Sequence, residues 1–132
     1  MKATELMIGD WVNSDFGIFQ IKEIFEDAVR DNRGNDYEFD CIHPISLTGE
    51  ILKNNGFELA DDIYRAKALV DIYDLWECET ISQTIYMHYY KKRKDYSLYS
   101  NNCIIEHIKY VHELQNAMRV CGVENEIELC QQ

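Results

Sequence analysis

Short segments in which polar and apolar residues alternate dominate residues 6–42 and return in residues 84–108. Alternation with a period of two is typical of strands with one buried face. In the first region the clusters "NSDFG" and "DNRGND" separate the segments "LMIGDWV", "IFQIKEIF" and "YEFDCI". Tight turns join antiparallel neighbours. We therefore expect a small antiparallel sheet near the start of the chain.

A hairpin is expected in the later region. "TIYMHYY" (84–90) and "YSLYS" (96–100) flank the polar loop Lys91-Lys92-Arg93-Lys94. "CIIEHI" (103–108) predicts a further strand, and "EIEL" predicts a last one with Ile127 and Leu129 facing inward.

A short helix is expected near residues 49–55. Thr48 has a hydroxyl that can cap its first turn, and Leu47 and Leu52 have the spacing of a hydrophobic staple. Gly56 can adopt the left-handed conformation that ends a helix.

Residues 61–76, "DDIYRAKALVDIYDLW", allow two readings. An apolar stripe at helical spacing, which includes Ile63, Leu69 and Trp76, favours a helix. A strand around Leu69–Ile72 is the alternative, and we expect the helix.

A final helix is expected from about Tyr110 to Cys121, ended by Gly122. Its buried stripe should contain Val111, Leu114, Met118 and Cys121, because these residues recur at steps of three and four. His112, Gln115, Asn116 and Arg119 should fall largely on the other side of the helix. His112 and Glu113 are therefore expected to be surface or rim residues.

The fold class that follows is α+β in a single domain, residues 1–132. We expect a strand-rich part with a short helix (1–58), then a helix, a hairpin and a C-terminal helix (59–132). Two or three helices accompany the sheets, and the curled N-terminal sheet resembles an SH3-like barrel in outline. A chain of 132 residues is long enough to bury a core of its own.

The net charge of −11 is concentrated in residues 1–80, which contain 18 Asp/Glu and 7 Lys/Arg. An acidic field repels phosphate and attracts a basic surface, so direct nucleic-acid binding is disfavoured and a basic protein is the expected partner. The expected binding residues form two acidic groups. They are Glu23, Glu26, Asp27, Asp31, Asp36, Glu38 and Asp40, and then Asp61, Asp62, Asp71, Asp74, Glu77 and Glu79.

Other classes of site find little support. His112 and Glu113 begin an H-E-x-x-H zinc motif, but Asn116 stands where the second histidine is required. Phosphate-binding glycine loops and signatures of activated nucleophiles are missing from the sequence. We therefore expect no cofactor, no metal and no catalysis, with a metal-dependent hydrolase as the weaker alternative.

The cellular setting is expected to be cytoplasmic. No signal peptide or membrane span is evident in the sequence. The five cysteines are widely spaced, which favours reduced and mostly buried thiols.

The hairpin loop offers an alternative function. Lys91, Lys92, Arg93 and Lys94 lie among tyrosines, and charge with aromatic stacking is typical of single-stranded nucleic-acid binding. A solvated loop that protects strand edges has the same composition.

Three stretches carry a family resemblance: "ELMIGDWV", "HPISLTGEILKNNGFE" and "IKYVHELQNAM". They are similar to the pattern L-x-I-G-x-W-V, P-I-x-L-T-x-E-x-L-x-K-x-G-F-E, Y-V-H-x-L-Q-N of small uncharacterised proteins from prophages and mobile elements of Bacteroidetes-type bacteria. Residues 58–100 do not match, and residues 117–124 match loosely. The resemblance implies a phage or mobile-element origin and supplies no catalytic residue.

Together these observations predict a non-enzymatic acidic protein of phage or mobile-element origin. Its expected action is to inhibit a host nucleic-acid or defence complex, such as a CRISPR complex, by occupying a basic surface. An accessory nucleic-acid binder that uses the 89–99 hairpin and a structural or assembly protein of the element are the alternatives.

Overall fold

The computed structural model describes residues 1–59, 72–101 and 103–129, which form three antiparallel sheets and two α-helices. Backbone alone is described at residues 72 and 73. The α+β class is confirmed. No helix within these ranges is long and apolar enough to cross a lipid bilayer.

Two three-stranded sheets make up the N-terminal part. The first has the order β2-β1-β6 and the second β3-β4-β5. Their strands are β1 (Trp11–Ser14), β2 (Gly17–Gln20), β3 (Glu23–Ile24), β4 (Ala28–Arg30), β5 (Asp36–Glu38) and β6 (Ile42–His43). The strands are short because turn clusters interrupt the chain every few residues.

A five-stranded sheet of order β11-β10-β9-β8-β7 forms the second part. It contains β7 (Glu58–Leu59), β8 (Ile72–Glu79), β9 (Thr84–Tyr90), β10 (Asp95–Tyr99) and β11 (Ile104–Ile108). The expected hairpin is confirmed, since β9 and β10 pair from Asp95↔Tyr90 to Tyr99↔Tyr86.

The two helices are α1 (Gly49–Asn54) and α2 (Val111–Val120). Thr48 caps α1 as expected, with its hydroxyl accepting a hydrogen bond from the Ile51 amide at 3.2 Å. Glycine at position 49 leaves room for an indole, because a Cβ there would lie 2.9 Å from Trp76 Cζ2. Gly56 and Gly122 follow the two helices at positive φ, as expected.

The apolar residues form two cores that share the β2-β1-β6 sheet. Trp11 and Ile18 on one face belong to the larger core with α1, α2 and the five-stranded sheet. Val12 and Phe19 on the other face belong to a smaller core with the β3-β4-β5 sheet. The first sheet is therefore buried on both faces and joins the two parts of the fold.

Three expectations about local structure require correction. Residues 72–76 belong to β8 and are not helical, and the remainder of the 61–76 prediction, residues 61–71, lies outside the described residues. Residues 39–41 form a 3-10 turn, so the predicted strand "YEFDCI" ends at Glu38. Ile127 faces inward at 2% exposure, yet the "EIEL" segment pairs with no described strand.

Candidate protein-binding groove

An open groove of about 800 Å³ lies between strands β2 and β5. We call it the β2–β5 groove. It is lined by aromatic, polar and charged side chains and by one cysteine: Phe16, Gly17, Ile18, Phe19, Asp31, Asn32, Arg33, Asn35, Asp36, Tyr37, Glu38 and Cys41.

Aromatic rings form the apolar part of the groove. Phe19 of β2 and Tyr37 of β5 stack with ring centroids 4.4 Å apart and planes inclined by 19°. Phe16 occupies the β1–β2 turn and is 89% exposed. An exposed phenylalanine beside a groove offers apolar area that water solvates poorly.

The β1–β2 turn is fixed by Ser14. Its hydroxyl donates to the Gly17 carbonyl at 2.9 Å and accepts from the Phe16 amide at 3.2 Å. Gly17 has φ 112°, a conformation that favours glycine. These contacts hold Phe16 outward at the end of the groove.

Asp31 fixes the other wall. Its carboxylate, on a residue only 5% exposed, accepts from the amides of Arg33 and Asn35 and from the Tyr37 hydroxyl. Burial raises the pKa of Asp31, but the hydrogen bonds from Asn35 and Arg33 outweigh burial and lower it. Asp31 therefore stabilises the β4–β5 turn and also lines the groove, and its predicted role in partner binding stays a prediction.

Carboxylates of β5 give the groove its acidic rim. Asp36 forms an ion pair with Arg30 at 2.7 Å, and its pKa is lowered chiefly by the hydrogen bond from that guanidinium. Glu23 lies 3.8 Å from the same guanidinium. Glu38 is exposed and forms no ion pair within the described ranges. Arg33 is the cation of the lining.

Both strands that border the groove are sheet edges. β2 pairs only with β1, and β5 only with β4, among the described strands. The Asp31 amide donates to the Asn35 carbonyl, so residues 31 and 35 form a hydrogen-bonded pair where β4 meets β5. Val29 and Tyr37, two positions further along, form the next such pair. Since hydrogen-bonded pairs alternate in an antiparallel ladder, the backbone groups of Asp36 and Glu38 point away from β4.

The other expected acidic residues lie elsewhere. Glu26 and Asp27 are exposed between β3 and β4, and Asp40 is exposed in the 3-10 turn beside Cys41. In the second group, Asp74, Glu77 and Glu79 lie on β8, where burial raises the pKa of Asp74. The remaining members lie outside the described residues: Asp61, Asp62 and Asp71.

The basic hairpin loop is built around a buried carboxylate. Asp95, 2% exposed, accepts from Arg93 Nε at 2.9 Å and contacts His107 Nδ1 at 3.0 Å. Arg93 also donates to Ser97 and stacks over the Tyr90 ring at 4.0 Å. Its guanidinium is thus engaged inside the hairpin, which disfavours a role in phosphate contact. Lys91, Lys92 and Lys94 lie in the turn beside it.

The residues of the incomplete zinc motif have structural roles. Glu113 Oε1 accepts from the amides of Lys109 and Tyr110 and so caps α2. The expected surface or rim position of His112 is wrong: the residue is 4% exposed, and burial lowers its pKa. Gln115, expected on the side of the helix away from the buried stripe, is also buried, at 5% exposure. These two polar residues are buried because α2 packs on the N-terminal sheet.

In the described part of the chain, no three His, Cys, Asp or Glu side chains are grouped to hold an ion. Comparison with protein families, curated proteins and solved structures found no match for this chain. The β2–β5 groove therefore stands on its geometry alone as the candidate site.

The carboxylates that line the groove are among the predicted binding residues, whereas its aromatic residues are not. Phe19 and Tyr37 read as ordinary inward positions of two separate strands, and no periodicity shows that their rings meet. Phe16 carried a usable signal, because an aromatic residue inside the turn cluster "NSDFG" has little apolar surface to pack against.

Proposed function

We propose that the protein acts without catalysis, by binding a basic segment of another protein in the β2–β5 groove. One observation carries this proposal: an open groove of about 800 Å³ has stacked aromatic rings as its floor and the carboxylates of Asp36 and Glu38 at its rim. The net charge of −11 favours the same class of partner.

The groove chemistry suits a binding module better than a reaction centre. Asp31 is held ionised by four hydrogen-bond donors and keeps no free lone pair aimed at a ligand's proton, as a general base requires. Phe16, Phe19 and Tyr37 supply apolar contact, and the carboxylates supply charge selection.

The partner that fits the resemblance to mobile-element proteins is a host protein with a basic channel. Carboxylates presented there take the place of nucleic-acid phosphates, and a bound protein then inhibits the host enzyme or defence complex, a CRISPR complex among them. The support for this step is the acidic charge together with the resemblance, and the host cytoplasm is the compartment proposed for it.

A test begins with affinity capture from the host bacterium, followed by calorimetry with the purified partner. Binding should weaken at least about tenfold between about 50 mM and about 300 mM salt, because the Debye length falls over that range. The double variant Asp36→Asn, Glu38→Gln should bind more weakly at low salt. A binding affinity that changes neither with salt concentration nor with these substitutions would overturn the proposal.

Nucleic-acid binding by the 89–99 hairpin remains a second hypothesis with its own test. The variant in which Lys91, Lys92, Arg93 and Lys94 are all changed to serine should then lose RNA retention in a gel shift. Under the groove proposal the same variant keeps its protein partner.

A further inference from the structure

The free edge of β5 has a repeating chemistry. Asp36 and Glu38 direct their backbone groups away from β4, as the ladder pattern requires. Side chains of successive strand residues point to opposite faces. Asp36 and Glu38 therefore share one face, while Tyr37 turns to the other and stacks on Phe19.

The spacing of the two carboxylates matches an extended ligand. Two positions along a strand span about 6.8 Å, which is also the separation of alternate side chains in a paired segment. Cross-strand neighbours of opposite charge stabilise such a pairing. A segment laid along β5 would place two residues beside Asp36 and Glu38, and the residue between them beside Tyr37 and Phe19.

We propose that the β2–β5 groove takes its partner by strand addition: an extended segment pairs with β5, with basic residues at two alternate positions and an apolar residue between them. This inference rests on the proposed function and names the shape and sequence of its ligand. The unpaired edge supplies the hydrogen bonds, and the alternation of carboxylate, aromatic ring and carboxylate supplies the selectivity.

Charge argues for a foreign basic segment over a second copy of this chain. A second copy pairing through β5 would place Asp36 and Glu38 against the same carboxylates, and like charges opposite each other destabilise a sheet. Glu38 forms no ion pair within the described ranges. A lysine or arginine of the ligand placed opposite Glu38 can therefore form a new ion pair with it.

The probe is a capped peptide of about seven residues in which lysine and valine alternate. Fluorescence anisotropy measures its affinity for the full chain, and amide NMR shifts locate it. A peptide of the same composition with its lysines contiguous tests pure charge attraction. Two further versions carry methyl groups on backbone amide nitrogens, one at the lysine residues and one at the valine residues. They test whether the peptide forms backbone hydrogen bonds with β5.

The expected result is specific in register. Shifts should concentrate at Ile18, Asp36, Tyr37 and Glu38. Methylation at lysine should weaken binding at least about tenfold, because those amides donate to β5, whereas methylation at valine should have little effect. Glu38→Gln should weaken binding about two- to fivefold. Glu26→Gln, the same substitution outside the groove, should leave binding unchanged.

Each other outcome overturns strand addition. Equal binding of the alternating and contiguous peptides would show charge attraction alone and would leave the proposed function standing. A dimer in light scattering, with residues 36–38 protected before peptide is added, would identify a second copy as the occupant. If the peptide does not bind but a native partner is still captured in a salt-dependent way, the interface lies elsewhere. The absence of any salt-dependent partner would overturn the proposed function as well.

Discussion

Arg119 Nη1 donates to Asp10 Oδ1 at 2.6 Å, an ion pair that joins α2 to the N-terminal sheet. Asp10 is fully buried, and the Arg119 side chain is 33% exposed. Gln115 makes two hydrogen bonds to the same segment, accepting from the Trp11 amide at 2.8 Å and donating to the Gly9 carbonyl at 2.9 Å. The polar face of α2 is thus an internal interface.

Removing the guanidinium should destabilise the fold. Arg119→Ala leaves the Asp10 carboxylate buried with the Met7 amide as its one remaining donor among the described residues. It should lower the free energy of unfolding by about 2–3 kcal/mol. Urea denaturation measures it. Arg119→Lys, which keeps the charge, should restore part of the loss. Arg30→Ala is the control, because its ion pair is exposed, and it should have a much smaller effect. If the two alanine variants lower the free energy of unfolding equally, burial of Asp10 does not make its ion pair more stabilising than the exposed one.

Gln115→Met should lower stability by about 2 kcal/mol, because it preserves side-chain length and removes the acceptor of the buried Trp11 amide. Denaturation and amide exchange at Trp11 are the measurements. Asn116→Ala provides the comparison. The Asn116 side chain donates to the Glu5 carbonyl at 3.3 Å and accepts from Arg119 Nη1 at 2.8 Å, and both contacts are exposed, so their loss should cost less. Unchanged exchange at Trp11 in Gln115→Met would contradict the proposed role.

His112 should make stability depend on pH. Burial lowers its folded-state pKa, although Asp10, Glu113 and Glu5 oppose the shift. The unfolded chain takes up a proton near its ordinary pKa of about 6.5, while the folded chain stays neutral until a lower pH. Stability should therefore fall as pH decreases below about 6.5, and stop falling below the folded-state pKa. The slope cannot exceed about 1.4 kcal/mol per pH unit for one proton.

The matched variant for that experiment is His112→Phe, which keeps a flat ring beside Tyr110 and cannot titrate. Urea denaturation between about pH 5 and pH 7.5 should show a shallower slope for this variant. An unchanged slope would assign the pH dependence to other groups.

Thiol labelling should be selective for Cys41, which is exposed and lines the groove. Cys78 and Cys121 are buried, and burial raises the pKa of both thiols, so they should react far more slowly. A bulky maleimide on Cys41 should block partner binding. Mass spectrometry follows the labelling in a Cys103→Ser, Cys130→Ser background, because Cys103 is only half-buried. Cys41→Ser should bind its partner and resist inactivation, whereas binding by the labelled protein would place the interface elsewhere.

Much of the fold was predictable because local signals and packing agree. Thr48 and Gly56 bound a helix that forms as expected, and Val111, Leu114 and Met118 are buried as their spacing predicts. The tertiary role of the polar residues was not predictable. His112 and Gln115 look like surface residues, because hydrophobic spacing cannot distinguish a face that meets water from one that meets a backbone edge.

The groove also combines features that the sequence predicts with features that it does not. The sequence indicated a concentration of carboxylates. The fold buries Asp31 and leaves Asp36 and Glu38 exposed along the groove. Which carboxylates line the groove depends on how two short sheets meet. That arrangement depends on the Phe19–Tyr37 contact between residues far apart in the chain.

Trp11 has a consequence for the order of events during synthesis. Its amide bonds to Gln115 and its indole Nε1 donates to the Ile127 carbonyl at 2.9 Å. The ribosome synthesises the chain from its N-terminus. More than a hundred residues must therefore be added after Trp11 before its hydrogen-bond partners are available. The nascent N-terminal sheet therefore exposes an indole that the finished protein buries. Such long-range closure slows folding and gives chaperones a defined early target.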